Sequence, residues 1–138
     1  MQTQLGQPTG RYELPQGGAR LEFARGPYGK HTYMVDLDSA GNVIGWQQVL
    51  NENNFNTVVN GMSRDEVLFK LGRPSERRGG GRQGGEVWSY RYDAVFCQWF
   101  AISMIDGKVR DPAYLPDPLC DNDNDNDGWS SALSVRRR

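Results

Sequence analysis

The sequence predicts an α+β chain built from two tandem repeats, each a helix pair followed by an antiparallel sheet of three to four strands. The first repeat lacks its helices. Three observations predict this. The phrase Leu-Gly-x-Pro stands at residues 5–8 and again at 71–74. Alternating apolar segments follow each copy, and a well-bounded helix precedes the second. Sliding the chain until Leu5 falls on Leu71, a shift of 66 positions (71 minus 5), also places Arg11 on Arg77, Tyr33 on Trp99, Gly41 on Gly107 and Val43 on Val109 without a gap. A constant offset of this kind reads as a duplication.

In chain order, the first repeat covers residues 1–50. It starts at the C-cap signal of a helix, residues 5–9, whose body would lie before it. Strands are expected near 19–25, 31–38 and 43–50. The second repeat covers 51–116. "NENNFNTVV" suits a short helix with Phe55, Val58 and Val59 on one side, and Gly61 ends it. Ser63 and Glu66 form a capping-box pattern, and Val67, Leu68 and Leu71 follow at helical spacing. Gly72 and Pro74 then stop the helix, giving a span of about 64–71. "SERRGGGRQGG" carries nothing that can be buried and reads as a mobile loop. "EVWSYRY" alternates as a strand with Trp88, Tyr90 and Tyr92 on one side. "AVFCQWFAISMI" is a longer strand, with Phe96, Phe100, Ile102 and Met104 on one face and Cys97, Trp99, Ala101 and Ser103 on the other. Asp106-Gly107 is a hairpin turn, and a shorter third strand opens at Lys108 and Val109. Residues 117–138 form an acidic, low-complexity tail that is expected to be disordered.

Composition narrows the function. The net charge of −1, without a basic stripe in the body of the chain, argues against a nucleic-acid partner. No apolar run reaches the ~20 residues of a membrane-spanning helix, and Met1-Gln2-Thr3-Gln4 does not open a signal peptide. Cys97 and Cys120 leave two readings open. In an oxidising compartment they form a disulfide worth about 3 kcal/mol. Otherwise one is a buried thiol and the other an idle one.

Catalytic and metal chemistry find little support, and no cofactor is implied. Asp123, Asp125, Asp127 and Gly128 resemble the start of a calcium loop, but its closing position is Ser134 rather than a carboxylate. The run reads instead as a solvated tail. His31 aligns with Cys97 under the repeat offset, which makes a Cys–His dyad formally possible; a structural strand histidine is the better reading. One histidine and two distant cysteines are too few for a zinc site. "GGGRQGG" follows a helix and precedes a strand, the reverse of the order that aims backbone amides at phosphate. The informative feature is aromatic. Tyr33, Trp46, Trp88, Tyr90, Tyr92 and Trp99 all fall on expected strands. They form either an open recognition face of the sheet, rich in the residue types of binding hot spots, or the core beneath the helices.

The segments "GMSRDEVLFKLGRPSE", "EVWSYRY" and "CQWFAISMIDGKV" resemble the SmpA/OmlA family of small outer-membrane lipoproteins. The matching positions are Gly61, Met62, Ser63, Val67, Leu71, Gly72, Pro74, Trp88, Tyr90, Gly107 and Val109. The duplicated form is similar to the β-lactamase inhibitor protein fold, in which two helix-plus-sheet repeats share a concave aromatic sheet and each holds a disulfide. The resemblance implies a non-catalytic envelope protein that binds other envelope proteins, in outer-membrane assembly or envelope integrity. It would be periplasmic and held to the outer membrane through a lipid anchor absent from this sequence. The alternative it implies is a periplasmic or secreted inhibitor of an enzyme that binds through the concave aromatic face.

Overall fold

Backbone pairing sorts the chain into two antiparallel four-stranded meanders. The structure, a computed structural model, describes residues 6–25, 29–79 and 85–120. The first sheet comprises β1 (Gly10–Glu13), β2 (Ala19–Arg25), β3 (His31–Leu37) and β4 (Val43–Gln48), in that spatial order. Two helices follow, α1 (Glu52–Phe55) and α2 (Arg64–Leu71). The second sheet is β5 (Glu76–Gly79), β6 (Glu86–Tyr90), β7 (Gln98–Ile105) and β8 (Lys108–Pro116), again in order. The fold is therefore mostly β, of the α+β class.

Helix α2 is bounded as its local chemistry dictates. The Ser63 hydroxyl accepts from Glu66 N–H at 3.1 Å, and the Glu66 carboxylate accepts from Ser63 N–H at 2.8 Å. At the other end Gly72 adopts φ 78°, ψ −164°, a region open almost only to glycine, and its N–H reaches Leu68 O. The N-terminus of α2 is tied to the second sheet, because Arg64 N–H donates to Gly107 O and Val109 N–H to Met62 O.

Several expectations are corrected. β5 lies within the segment read as a mobile loop; its four residues are exposed, and it is held by pairing with β6 and by ion pairs from Glu76 to Arg91 and from Arg77 to Glu86. β1 was likewise not anticipated. β7 begins at Gln98, not Ala94, so Phe96 is exposed (74%) instead of buried on the core face. β8 runs nine residues rather than a short stretch; Pro112 and Pro116 are tolerated because it is an edge strand. Helix α1 is a single turn and leaves Val59 exposed, while Phe55 and Val58 are buried. Residues 117–120 of the supposed disordered tail are ordered, and Asp117 is buried against Arg91. Residues 121–138 lie outside the described residues.

The first sheet, expected to have little over it, is covered. Its face with Arg20, Glu22, Thr32 and Met34 packs on α2, and Met34, Val49 and Leu50 join Phe55, Val67, Leu71, Trp88, Tyr90, Phe100 and Ile102 in one core. Within that core Phe55 stacks on Phe100 at 4.6 Å and meets Tyr92 edge-on at 5.0 Å. Arg20 spans the joint, bonding Asp36 at 2.7 Å and Phe69 O at 2.9 Å while lying 4.2 Å above the Phe69 ring. A smaller cluster of Leu21, Phe23 and Val35 occupies the opposite face of the first sheet.

Glu22 is the tightest point of the joint. It is 1% exposed, and its carboxylate accepts from Thr9 Oγ1 at 2.5 Å, Tyr12 OH at 2.6 Å and Arg73 N–H at 3.2 Å. A Cβ at Gly72 would stand 2.8 Å from Glu22 Oε1, and one at Gly10 would stand 3.0 Å from it. Gly41 also has a positive φ of 90°, but with open space around it. Gly41→Ala is therefore expected to cost only backbone strain, about 1 kcal/mol. Gly72→Ala adds displacement of a buried carboxylate and is expected to cost about 3 kcal/mol or more. Urea unfolding of both variants checks this, and equal losses would contradict the crowding at Glu22.

Candidate functional site

The six aromatic residues singled out in the sequence separate into two groups. Trp88, Tyr90 and Tyr92 are 1%, 0% and 5% exposed and belong to the helix-covered core, so for them core packing is the correct reading. Tyr90 OH donates to Gly72 O at 2.8 Å, and Tyr92 OH to Glu52 at 2.6 Å. Trp99 lies on the other face of the second sheet but is also buried. The Arg91 guanidinium stands 4.8 Å above its ring, held there by Asp117 at 2.9 Å and Glu76 at 2.8 Å. This closure was hidden in the sequence because Asp117 belonged to the supposed tail.

Tyr33 and Trp46 remain at the surface. Val35 pairs with Trp46 across β3 and β4, which puts Trp46 and Tyr33 on the same face, ring centroids 6.2 Å apart. Trp46 is 64% exposed. The aromatic row continues through His31, stacked 6.4 Å from Tyr33, and His31 Nε2 contacts Asp93 Oδ2 at 2.7 Å. Beyond Asp93 the exposed Val95 and Phe96 form an apolar loop, anchored by a disulfide between Cys97 and Cys120 with Cα atoms 5.9 Å apart. Cys97 thus carries no thiol for His31, and the dyad is ruled out. The Asp123–Asp127 run lies outside the described residues, and among the described residues no group of His, Cys, Asp and Glu could hold a metal ion.

Edge chemistry distinguishes β4 further. β1 carries Arg11 and Glu13, and β5 carries Glu76, Arg77 and Arg78. β8 has two prolines and several charges, and residues 61–63 bond to its first turnward residues. These are the features that blunt strand edges. β4, Val-Ile-Gly-Trp-Gln-Gln, has neither charge nor proline and exposes Val43 and Ile44 as well as Trp46. A bulge interrupts its Val43 end, and pairing is regular from Gly45 to Gln48.

A second feature escaped the sequence reading entirely. A cavity of about 680 Å³ lies between the inner face of the first sheet and the α2–β5 connection. Arg25, Arg64, Arg73 and Arg77 line it, together with Thr32 and Trp88. Arg64 and Arg77 stand 5.1 and 5.4 Å from the Trp88 ring and share Glu86. Hydrogen bonds from the Trp88 indole and from Arg77 hold the Glu86 carboxyl below its ordinary value. These arginines are scattered along the chain without a local motif, so only folding brings them together.

No family model, no curated protein and no solved structure matches this chain. Among the described residues no helix is long and apolar enough to cross a membrane.

The buried phenols set an alkaline limit. Burial, followed by the hydrogen bond to Glu52, raises Tyr92 to about 12. Burial likewise raises Tyr90 and Tyr12 well above the ordinary 10.0. The folded chain favours the neutral phenols, so their contribution is intact below pH 10 and is withdrawn as pH rises from there toward the folded values. The unfolding midpoint is expected to fall steadily above pH 10, with tyrosine ionisation coinciding with loss of structure. Tyr90→Phe should cost about 1 kcal/mol at neutral pH and make the alkaline decline shallower. Complete tyrosine ionisation at pH 10–11 without unfolding would contradict this.

Proposed function

We propose that this chain is a non-catalytic protein-binding module of the bacterial envelope, of SmpA/OmlA-like character, that receives an extended segment of a partner protein along β4 beside Trp46 and Tyr33. The observation that carries the reading is the β4 edge itself: uncharged, free of proline, and flanked by a tryptophan that is 64% exposed. Main-chain pairing along such an edge supplies affinity, and an adjacent aromatic anchor supplies specificity. The apolar loop at Val95 and Phe96 extends the same surface past His31 and Asp93. An exported location is supported by the Cys97–Cys120 disulfide, which persists in oxidising compartments.

The two sheets are, in this reading, descendants of one duplicated unit. What supports it is the shared meander order and the recurrence of the sequence offset in β1 and β5, in Gly6 and Gly72 (φ 77° and 78°), and in Gly41 and Gly107 (φ 90° and 74°). The inhibitor alternative drew on a broad aromatic face. With Trp88, Tyr90, Tyr92 and Trp99 buried, that face reduces to Tyr33 and Trp46.

The test couples solution mass with affinity capture from an envelope extract of the protein's own organism. The chain is expected to be monomeric. It should retain a protein partner that Trp46→Ser weakens about tenfold or more and Tyr90→Phe leaves unchanged. A partner retained equally by Trp46→Ser, no partner at all, or a dimer abolished by Trp46→Ser would each overturn the assignment.

A further inference from the structure

The arginine-lined cavity stands apart from the β4 surface, and its chemistry is different. Four arginines gather around one opening in a chain whose overall charge is −1. Two carboxylates stand beside Arg64, Arg73 and Arg77. Glu22 is already satisfied by Thr9, Tyr12 and the Arg73 N–H. Glu86 is shared by Arg64 and Arg77, at 3.8 and 2.9 Å. Among the described residues, Arg64, Arg73 and Arg77 thus outnumber Glu22 and Glu86 by one. The Arg73 side chain is the least committed. It is 61% exposed, and its Nε comes no nearer than 3.9 Å to Glu22. Arg64 and Arg77 are the most fixed, since each is held by both Glu86 and the Trp88 ring.

Thr32 supplies an independent sign. It is 1% exposed and lines the cavity. Its backbone N–H is bonded to Gln48 Oε1 and its carbonyl to Val49 N–H, but its hydroxyl has no hydrogen-bond partner among the described residues. A buried hydroxyl without a partner costs free energy, and a ligand oxygen in the cavity would relieve that cost. The volume, about 680 Å³, suits a small organic molecule.

We propose that this cavity binds a small anion carrying a phosphate group or paired carboxylates, with Arg73 closing on it, Arg64 and Arg77 presenting fixed guanidinium groups, and the Thr32 hydroxyl donating a hydrogen bond. Guanidinium forks match the oxygens of phosphate and carboxylate in geometry as well as charge. The Trp88 ring behind Arg64 and Arg77 keeps them in place, so little side-chain freedom is lost on binding.

The experiment is titration calorimetry with inorganic phosphate and with succinate, each at constant ionic strength maintained with chloride, followed by thermal denaturation at saturation. Saturable binding of at least one probe is expected, with a rise in melting temperature that chloride does not produce. Binding of phosphate alone identifies a phosphate-bearing ligand, and binding of succinate alone a dicarboxylate. Arg73→Ala retains the backbone amide that Glu22 uses and should weaken binding about tenfold. Thr32→Val removes the hydroxyl at nearly constant volume and should weaken it several-fold while the protein still melts cooperatively. No saturable binding of either probe would overturn the assignment, as would binding unaffected by both substitutions.

Discussion

A carboxylate buried at the seam between the two halves governs this fold. Placing Glu22 out of water is costly unless its oxygens are met, and the chain meets them with two hydroxyls and the amide just beyond the cap of α2. That arrangement needs two positions without a Cβ, Gly10 and Gly72, and a backbone at Gly72 that glycine alone adopts readily. Tyr90 bonds to the Gly72 carbonyl from the second sheet. The cap of one short helix is therefore held from both sheets at once. Once it is held, the sides of the first sheet are decided: Arg20, Glu22 and Met34 face α2, while Tyr33, Val35 and Trp46 face away. The exposed aromatic surface and the arginine-lined cavity are both consequences of this choice.

The opposite face of the second sheet is closed differently. Arg91 covers Trp99 and is gripped by Asp117 and Glu76, and the disulfide fastens the Cys97 loop to Cys120 just beyond. A buried ion pair of this kind is weak evidence for net stability, because desolvation offsets much of the attraction. Its effect is positional. It directs the chain after β8 across the sheet and withdraws Trp99 from the surface.

Local signals were legible in the sequence where the chemistry is local. The Ser63–Glu66 capping box and the bounds of α2 and β2 follow directly from residue types and spacing. β5 was missed because its residues are polar and exposed, held by edge pairing and ion pairs, which leaves no apolar pattern to read. The sequence leaves the aromatic residues undecided between face and core for a different reason. Alternation shows that Trp88, Tyr90 and Tyr92 share a side, but period two is blind to which side the helices cover. The cavity was illegible because Arg25 and Arg77 come together only through the seam at Glu22, and nothing in either neighbourhood marks the other. The third strand was expected to be short, and β8 runs on past Pro112 to Pro116 because an edge strand tolerates proline.

If the seam at Glu22 governs the fold, the two sheets cannot open independently. Native-state hydrogen exchange tests this directly. The Arg73 amide, which donates to Glu22, should exchange only through global unfolding. Amides of β2 and β3 should share the same opening free energy as those of β6 and β7, with the same dependence on denaturant. Exchange of the first sheet at a distinctly lower free energy, while Arg73 and the second sheet remain protected, would contradict the account.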